Sequence, residues 1–462
     1  MTATLAIANP ADGSTVATVP ADTPASVAEK SLRARAAQVL WAATPLAERK
    51  AAIGRFRQSL VDDRESLART LTSEVGKPIA QSRNELAGVL ARIDFFLANV
   101  DGTTGPTVVH DEGGMVEGIS HEPLGVVGNV SAWNYPYFVG ANVFVPALLT
   151  GNAVLYKPSE FATLTGLAIG ERLHAAGVPA DVFAVCVGAG AIGRAVVEST
   201  VDGLFFTGSV ATGQAIAAQA GGRMLRLQLE LGGKDPTYVC DDVDAEFLSM
   251  AAASLADGAM YNTGQSCCSV ERLYVHERVH DDFVARFLET AAGFRVGDPM
   301  DDATHIGPLT RGPQIAVLQA QVDDAVARGA TVRLGGKRIA RKGHWFEPTV
   351  LTGVDHTMAL MRDESFGPII GIQKVQGDEE AIGLMNDTRY GLTAGVYAQD
   401  EARAATLLGR LRAGSVYWNC CDRVSPRLPW SGVGDSGVGV TLSTLGIGAF
   451  TRPRAWHLKR AA

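Results

Sequence analysis

The stretch that decides the fold is Pro123-Leu124-Gly125-Val126-Val127-Gly128-Asn129-Val130-Ser131-Ala132-Trp133-Asn134-Tyr135-Pro136. Its first half is a short apolar run bounded by Pro and Gly, the pattern of a strand buried on both faces. A helical run follows to Leu149, then the turn Thr150-Gly151-Asn152, then a second apolar strand over residues 153–156. A helix over 164–176, a strand over 182–187, a helix over 191–198 and a strand over 203–206 continue the alternation. Such alternation means a parallel sheet with ligands expected outside the carboxyl ends of its strands. Lys157, Glu160 and Thr207 all sit at such ends.

On the N-terminal side, residues 26–100 read as amphipathic helices, over 27–42, 46–64, 66–75 and 79–96, with a break at Gly76-Lys77-Pro78. Their charges are expected on solvated faces. Residues 102–122 are rich in Gly, Thr and Val with alternating charge, which predicts extended strands standing away from the helices, as a surface hairpin or an oligomer contact. On the C-terminal side the alternation resumes, with strands over 236–239, 272–275, 348–351, 368–375, 394–397 and a final core strand over 416–419. Helices are expected over 245–258, 280–294, 314–328, 381–387 and 401–411, and an extended tail over 450–458.

A chain of 462 residues exceeds one simple core, so at least two domains are expected. Hydrophobic residues at 47% and charged residues at 19% describe a globular α/β protein. A net charge of −8 argues against nucleic acid or an acidic membrane as partner. Residues 1–10 lack a basic segment leading into a long apolar run, and no run reaches membrane-spanning length, so neither a signal peptide nor a membrane span is expected. Six cysteines, two pairs of them adjacent, form no disulfide framework, and the nine histidines lack metal-ligand spacing. The reading is of a reduced, cytoplasmic, metal-free protein.

Three segments carry chemistry. Asn262-Thr263-Gly264-Gln265-Ser266-Cys267-Cys268-Ser269 sets a thiol in a turn-rich loop between a helix and a strand. Cys267 there is either a buried structural cysteine or a nucleophile whose own N–H points at the same carbonyl oxygen. Gly188-Ala189-Gly190-Ala191-Ile192-Gly193 matches a dinucleotide fingerprint, but the next strand ends in Phe206-Thr207-Gly208-Ser209 instead of an acidic residue. The better phosphate site runs from Gly208 through Ser209 to Gly213, where Ser209 can cap a helix.

Together these residues resemble the aldehyde dehydrogenase superfamily over most of the chain. Trp133-Asn134-Tyr135-Pro136, Lys157-Pro158-Ser159-Glu160 and Phe206-Thr207-Gly208-Ser209 match its cofactor half. Glu230-Leu231-Gly232-Gly233-Lys234, Gly264-Gln265-Ser266-Cys267, Glu364-Ser365-Phe366-Gly367-Pro368 and Tyr390-Gly391-Leu392 match its catalytic half. Seven motifs in the right order are a specific signal. The resemblance implies an NAD(P)-dependent, non-acylating oxidation of an aldehyde, with Cys267 as nucleophile, Asn134 in the oxyanion hole and Glu230 as the base for thioester hydrolysis. It implies that Lys157 and Glu160 hold the adenosine ribose, that Glu364 and Phe366 meet the nicotinamide ribose, and that Trp133 and Leu231 belong to the same cofactor site. Glu160 should repel a 2′-phosphate and favour NAD, with NADP possible. Alternatives are a succinate-semialdehyde-type dehydrogenase, a CoA-acylating dehydrogenase, which Glu230 argues against, and a non-catalytic structural relative.

The implied architecture is two parallel-sheet α/β domains and a small β arm. The Rossmann-like cofactor domain would span 1–104 and 125–233, the catalytic domain 234–438, and an oligomerisation arm 105–124 and 445–462, giving a homodimer or homotetramer. One motif departs from the family. Where its pattern ends in Arg-Glu, this chain has Val440-Thr441, so a glutamate that relays a proton in some members is absent. The substrate funnel would draw on Tyr135, Asn142, Cys268 and residues 421–430. Arg423 and Arg427 there suit a carboxylate, whereas Tyr135, Leu428 and Trp430 suit an apolar aldehyde.

Overall fold

A computed structural model describes residues 3–460. Its elements hang on two parallel sheets. The first has six strands in the spatial order Gly437–Val438, Arg226–Glu230, Gly203–Thr207, Val126–Val130, Ala153–Lys157 and Phe183–Val185. All neighbours are parallel except Gly437–Val438, which runs antiparallel to Arg226–Glu230. Val126–Val130 and Ala153–Lys157 are buried along their whole length, as their unbroken apolar runs predict. The chain moves outward from Val126–Val130 in one direction and then in the other from Gly203–Thr207, so the switch point lies between these two strands. Helices α1 (Pro24–Ala43), α2 (Leu46–Asp62), α3 (Arg64–Val75), α4 (Ile79–Thr104), α5 (Pro136–Leu149), α6 (Thr163–Ala175), α7 (Gly190–Glu198) and α8 (Val210–Ala220) cover this sheet.

The second sheet has seven strands, in the order Thr331–Leu334, Thr349–Thr352, Ile369–Val375, Val270–His276, Asp235–Val239, Thr393–Tyr397 and Ser415–Trp418. Helix α9 (Ala245–Met260) connects its two central strands, Asp235–Val239 and Val270–His276. A third sheet pairs Thr451–Lys459 with Met115–Pro123, and that strand with Thr107–Glu112, all antiparallel. It is mostly exposed, and eight of the nine residues of Thr451–Lys459 face solvent.

The mixed α/β class and parallel sheets are as expected; several details differ. Arg226–Glu230 is a strand where no element was expected, because Arg226 at its start breaks the apolar run. Thr331–Leu334 and the hairpin Thr4–Ala8 with Thr15–Pro20 are edge elements whose half-exposed faces give weak patterns. The strand expected as a final core strand is Ser415–Trp418, which lies at the sheet edge and is only partly buried. Helix α4 runs on to Thr104. The charges of α3 and α4 are not all solvated: Glu74, Glu85 and Arg92 are buried, as is Lys77 between the two helices.

Candidate active site

Glu230 ends a strand of the first sheet, and Cys267 sits in the loop just before the second sheet's strand Val270–His276. That loop is held by an unusual backbone. Asn262, Thr263 and Gly264 are consecutively left-handed, with φ of 53°, 58° and 69°. A Cβ on Gly264 would stand 2.2 Å from the Gly367 carbonyl oxygen, so only glycine allows this approach. The strained pair is fixed from outside. Asn262 N–H donates to Gln81 Oε1 at 2.8 Å, its Nδ2 donates to the Asn134 and Gln265 carbonyls at 3.2 and 3.1 Å, and Gly307 N–H donates to Thr263 Oγ1 at 3.1 Å. The bond from Asn262 to the Asn134 carbonyl ties the loop to the segment after Val126–Val130.

Three spaces meet here. A long cleft of about 550 Å³ is lined by Trp133, Lys157, Glu160, Gly208, Ser209, Gly190 and Gly193 among others. An inner cavity of about 260 Å³ continues from it past Asn134, Leu231, Glu364 and Phe366. A tunnel of about 830 Å³ approaches from the far side, past Tyr135, Asn142, Cys268 and Asp422. Cys267, Glu230 and Trp430 line both the inner cavity and the tunnel. The fingerprint glycines Gly190 and Gly193 thus line the same cleft as Gly208.

In the cleft, Lys157 Nζ meets Glu160 Oε2 at 3.1 Å, with the lysine almost fully buried. Lys157 and the Ser159 hydroxyl hold the Glu160 carboxyl below its ordinary value against the opposing effect of burial. Ser209 Oγ caps α8 by accepting from Thr212 N–H at 3.4 Å. Gly213 lines neither cavity: a Cβ there would stand 2.5 Å from Leu231 Cδ2, so this glycine lets Leu231 close onto α8. Trp133 meets Phe366 edge-on at 5.5 Å and Phe161 at 6.4 Å.

Glu364 packs on Gly232, where a Cβ would stand 2.1 Å from its Oε1, and accepts from Gly233 N–H at 3.3 Å. Burial and the Glu271 charge raise its carboxyl above the ordinary range. The following residues are clamped: Glu271 accepts from the Ser365 and Phe366 N–H groups at 2.8 and 3.0 Å, and Lys234 Nζ donates to Glu271 at 2.6 Å and to Ser365 Oγ at 2.8 Å. This network explains why Lys234 and the Glu364-Ser365-Phe366 segment belong to one site.

Asn134 is 4% exposed. Its side-chain amide and the Cys267 N–H make no hydrogen bond among the described residues, and Asn134 and Cys267 line the same cavity. Glu230 accepts from Thr441 Oγ1 and, at 3.3 Å, from Gln228 Nε2. Burial lifts its carboxyl to about 7, while the Thr441 hydroxyl, the Arg92 charge and Gln228 pull it back. Cys268 donates to Asp422 Oδ1 at 3.0 Å, as Ser266 Oγ does. Contact with the Cys267 thiol, burial and the Asp422 charge raise the Cys268 thiol well above its ordinary value. It stays protonated.

Of the funnel expected from sequence, Tyr135, Asn142, Cys268, Arg423 and Trp430 line the tunnel, whereas Arg427 lines an adjoining groove with Phe95 and Asn99 that shares Arg423 and Pro426 with it, and Leu428 is 64% exposed. Arg92 and Asp422 line the tunnel unannounced. Arg92 was legible in principle, because Glu85, Leu86, Val89, Arg92, Ile93 and Phe96 share one helical stripe. Asp422 sits at φ 47° on an irregular loop that carries no period. Among the described residues no group of three or more His, Cys, Asp or Glu is placed to hold a metal ion.

Two parallel sheets meeting at a cysteine, with a cleft at a switch point, define a nucleotide-dependent enzyme class. Comparison narrows it. The family model described as "Aldehyde dehydrogenase family" matches residues 1–456. A putative succinate-semialdehyde dehydrogenase [NADP(+)] of Mycolicibacterium smegmatis is 37% identical over 449 residues, covering 95% of this chain and 86% of that one. A 3,6-anhydro-alpha-L-galactose dehydrogenase of Streptomyces coelicolor is 38% identical over 422 residues, covering 90% and 85%. The crystal structure of an aldehyde dehydrogenase from Brucella melitensis biovar abortus superimposes with a TM-score of 0.95 at 30% identity, covering 100% and 95%. The chain belongs to the aldehyde dehydrogenase family and is an NAD(P)-dependent enzyme.

Proposed function

We propose that the chain oxidises an aldehyde to a carboxylic acid through a covalent intermediate on Cys267, released by water that Glu230 activates. The observation that carries this reading is that Cys267 and Glu230 both line the junction of the inner cavity with the tunnel. The Cys267 sulfur adds to the aldehyde carbon, and the resulting oxyanion accepts hydrogen bonds from the Asn134 amide and the Cys267 N–H. Collapse of this tetrahedral adduct expels hydride and leaves a thioester. NAD(P), when bound, supplies the hydride acceptor. Glu230 then takes a proton from water as its oxygen attacks the thioester carbon, and the second adduct collapses to carboxylate and free thiolate.

The residues along the cleft fit a dinucleotide. Gly208, Ser209 and the N-terminus of α8 would take the pyrophosphate, and Lys157 with Glu160 the adenosine ribose. Glu364 and Phe366 would meet the nicotinamide ribose, with Trp133 and Leu231 as walls and Gly213 admitting Leu231. The domain assignments follow: residues 1–104 and 125–233 bind cofactor, 234–438 carry the nucleophile, and the arm of 105–124 and 445–462 joins subunits. The protein would work in the cytoplasm as a homo-oligomer; no helix among the described residues is long and apolar enough to cross a membrane.

An aldehyde panel with NAD, with and without coenzyme A, tests the reading. NADH formation without coenzyme A is expected. A strict coenzyme A requirement would replace hydrolysis by acyl transfer, and no NADH from any aldehyde would sink the assignment.

A further inference from the structure

Cys267 is flanked on both sides by donors that reach one carboxyl oxygen on the tunnel wall. It stands second in a four-residue turn, which Ser269 N–H closes on the Ser266 carbonyl at 3.2 Å. Its two neighbours, through Ser266 Oγ and Cys268 Sγ, each donate to Asp422 Oδ1 at 3.0 Å, and these two atoms lie 3.5 Å apart.

Asp422 comes from a distant part of the chain, the loop after Ser415–Trp418. Its φ of 47° is left-handed, a backbone that disfavours side chains in general but Asn and Asp least. Neighbours hold the loop in this shape. Asn419, also left-handed at φ 56°, accepts from Ala398 N–H and donates to the Ala398 carbonyl, both at 3.0 Å. Cys421 Sγ packs on Gly258 of α9, where a Cβ would clash with it, and Tyr417 Oη donates to the Arg423 carbonyl. With residues 421 and 423 anchored, the carboxyl between them is presented to the Cys267 turn before any ligand arrives.

The chemical consequence follows from the donors. A thiolate, not a thiol, attacks a carbonyl carbon. The Cys268 proton is directed at Asp422, and contact with Cys267, burial and the Asp422 charge together oppose its loss. Among the described residues no carboxylate accepts from Cys267, which lines both the inner cavity and the tunnel.

We propose that Asp422 is a positioning residue: by holding Ser266 and Cys268 on one oxygen it fixes Cys267 between them and confines nucleophilic reactivity to that one thiol of the adjacent pair. This rests on Cys267 as the nucleophile of the oxidation proposed above and adds what selects it over Cys268.

Iodoacetamide labelling of the full chain, with modified thiols located by peptide mass, tests this without aldehyde or cofactor. Two variants separate the carboxyl from its backbone. Asp422→Gly accepts the left-handed conformation but leaves both donors free, whereas Asp422→Asn keeps the conformation and an acceptor oxygen. Near neutral pH, wild-type Cys267 should be modified at least about tenfold faster than Cys268, the effect of one unit in thiol acidity. In Asp422→Gly that preference should shrink by about tenfold, and kcat should fall roughly tenfold or more with far less change in KM, the signature of a displaced nucleophile. Asp422→Asn should recover most of the turnover. Unchanged labelling in a folded Asp422→Gly protein overturns the proposal, as does wild-type labelling of Cys268 ahead of Cys267. A raised KM with kcat intact also overturns it, making Asp422 a substrate contact instead. Should Asp422→Gly not fold, Ser266→Ala combined with Cys268→Ala removes the donors from the other side. The pair should lower kcat by about tenfold and each alone by less; an unslowed double variant refutes the proposal. If labelling behaves as expected but no aldehyde is oxidised, it is the reaction that fails.

Discussion

Thr441 Oγ1 donates a hydrogen bond to Glu230 Oε1. The backbone beneath is locked, since Trp430 and Thr441 exchange both N–H to carbonyl bonds at 2.7 and 2.9 Å. A neutral hydroxyl therefore orients the base where the family pattern places a glutamate. It steadies the ionised carboxylate but cannot take up its proton at neutral pH. With burial lifting Glu230 to about 7, the ionised, active base accumulates as pH rises through that value. Thioester hydrolysis should accordingly climb with pH along a limb centred near 7. Thr441→Val removes a bond to the charged form and should move the limb upward by about 1 unit, lowering turnover below pH 7 more than at pH 9. Profiles of kcat against pH for both proteins check this; an unmoved limb would show that Thr441 does not tune the base.

Cofactor choice follows from the Lys157–Glu160 pair. Glu160 is held ionised beside the expected ribose position, and a 2′-phosphate there would set two negative charges a few ångströms apart. NAD should exceed NADP in catalytic efficiency, and Glu160→Gln should narrow the gap. Measuring kcat/KM for both cofactors at saturating aldehyde decides it, and NADP equal to or better than NAD in the wild type defeats the argument.

The arm predicts assembly. Thr107–Glu112 is exposed throughout, and Val108, Val109, Trp456 and Leu458 leave apolar surface on the same three-stranded sheet. Exposed strands of this kind are covered by pairing or packing against another chain. A dimer or tetramer is expected by light scattering at micromolar protein. A single-subunit mass with full activity would exclude it.

The sequence carried the parts of this site whose chemistry is tied to a short pattern. The apolar runs before Trp133, Lys157 and Thr207 mark strand ends, and strand ends of a parallel sheet are where ligands collect. What stayed hidden depends on long-range packing. That Thr441 reaches Glu230 requires Gly437–Val438 to pair with Arg226–Glu230, residues about two hundred positions apart in the chain. Arg92 and Glu85 sat in a helix whose other charges are solvated, and only their phase against Leu86, Val89 and Ile93 sets them apart. Asp422 and the left-handed Asn262 and Thr263 obey no period at all.

The two neighbouring thiols and Glu230 should divide the work. Cys267→Ala should abolish NADH production, since without the sulfur no adduct forms and hydride has no route out. Cys268 does not simply point away: it lines the tunnel beside Cys267, but its thiol is bonded to Asp422 and held protonated. It is no competing nucleophile, and Cys268→Ala should keep substantial turnover. Glu230→Gln should still form the thioester and release one equivalent of NADH per active site, after which turnover slows by roughly a hundredfold or more, the usual size of a lost general base. If Glu230 also draws the proton from Cys267, the burst slows together with the steady state, and rapid-mixing kinetics separates the two cases. Full activity in Cys267→Ala, or normal steady-state turnover in Glu230→Gln, would move the chemistry to other residues.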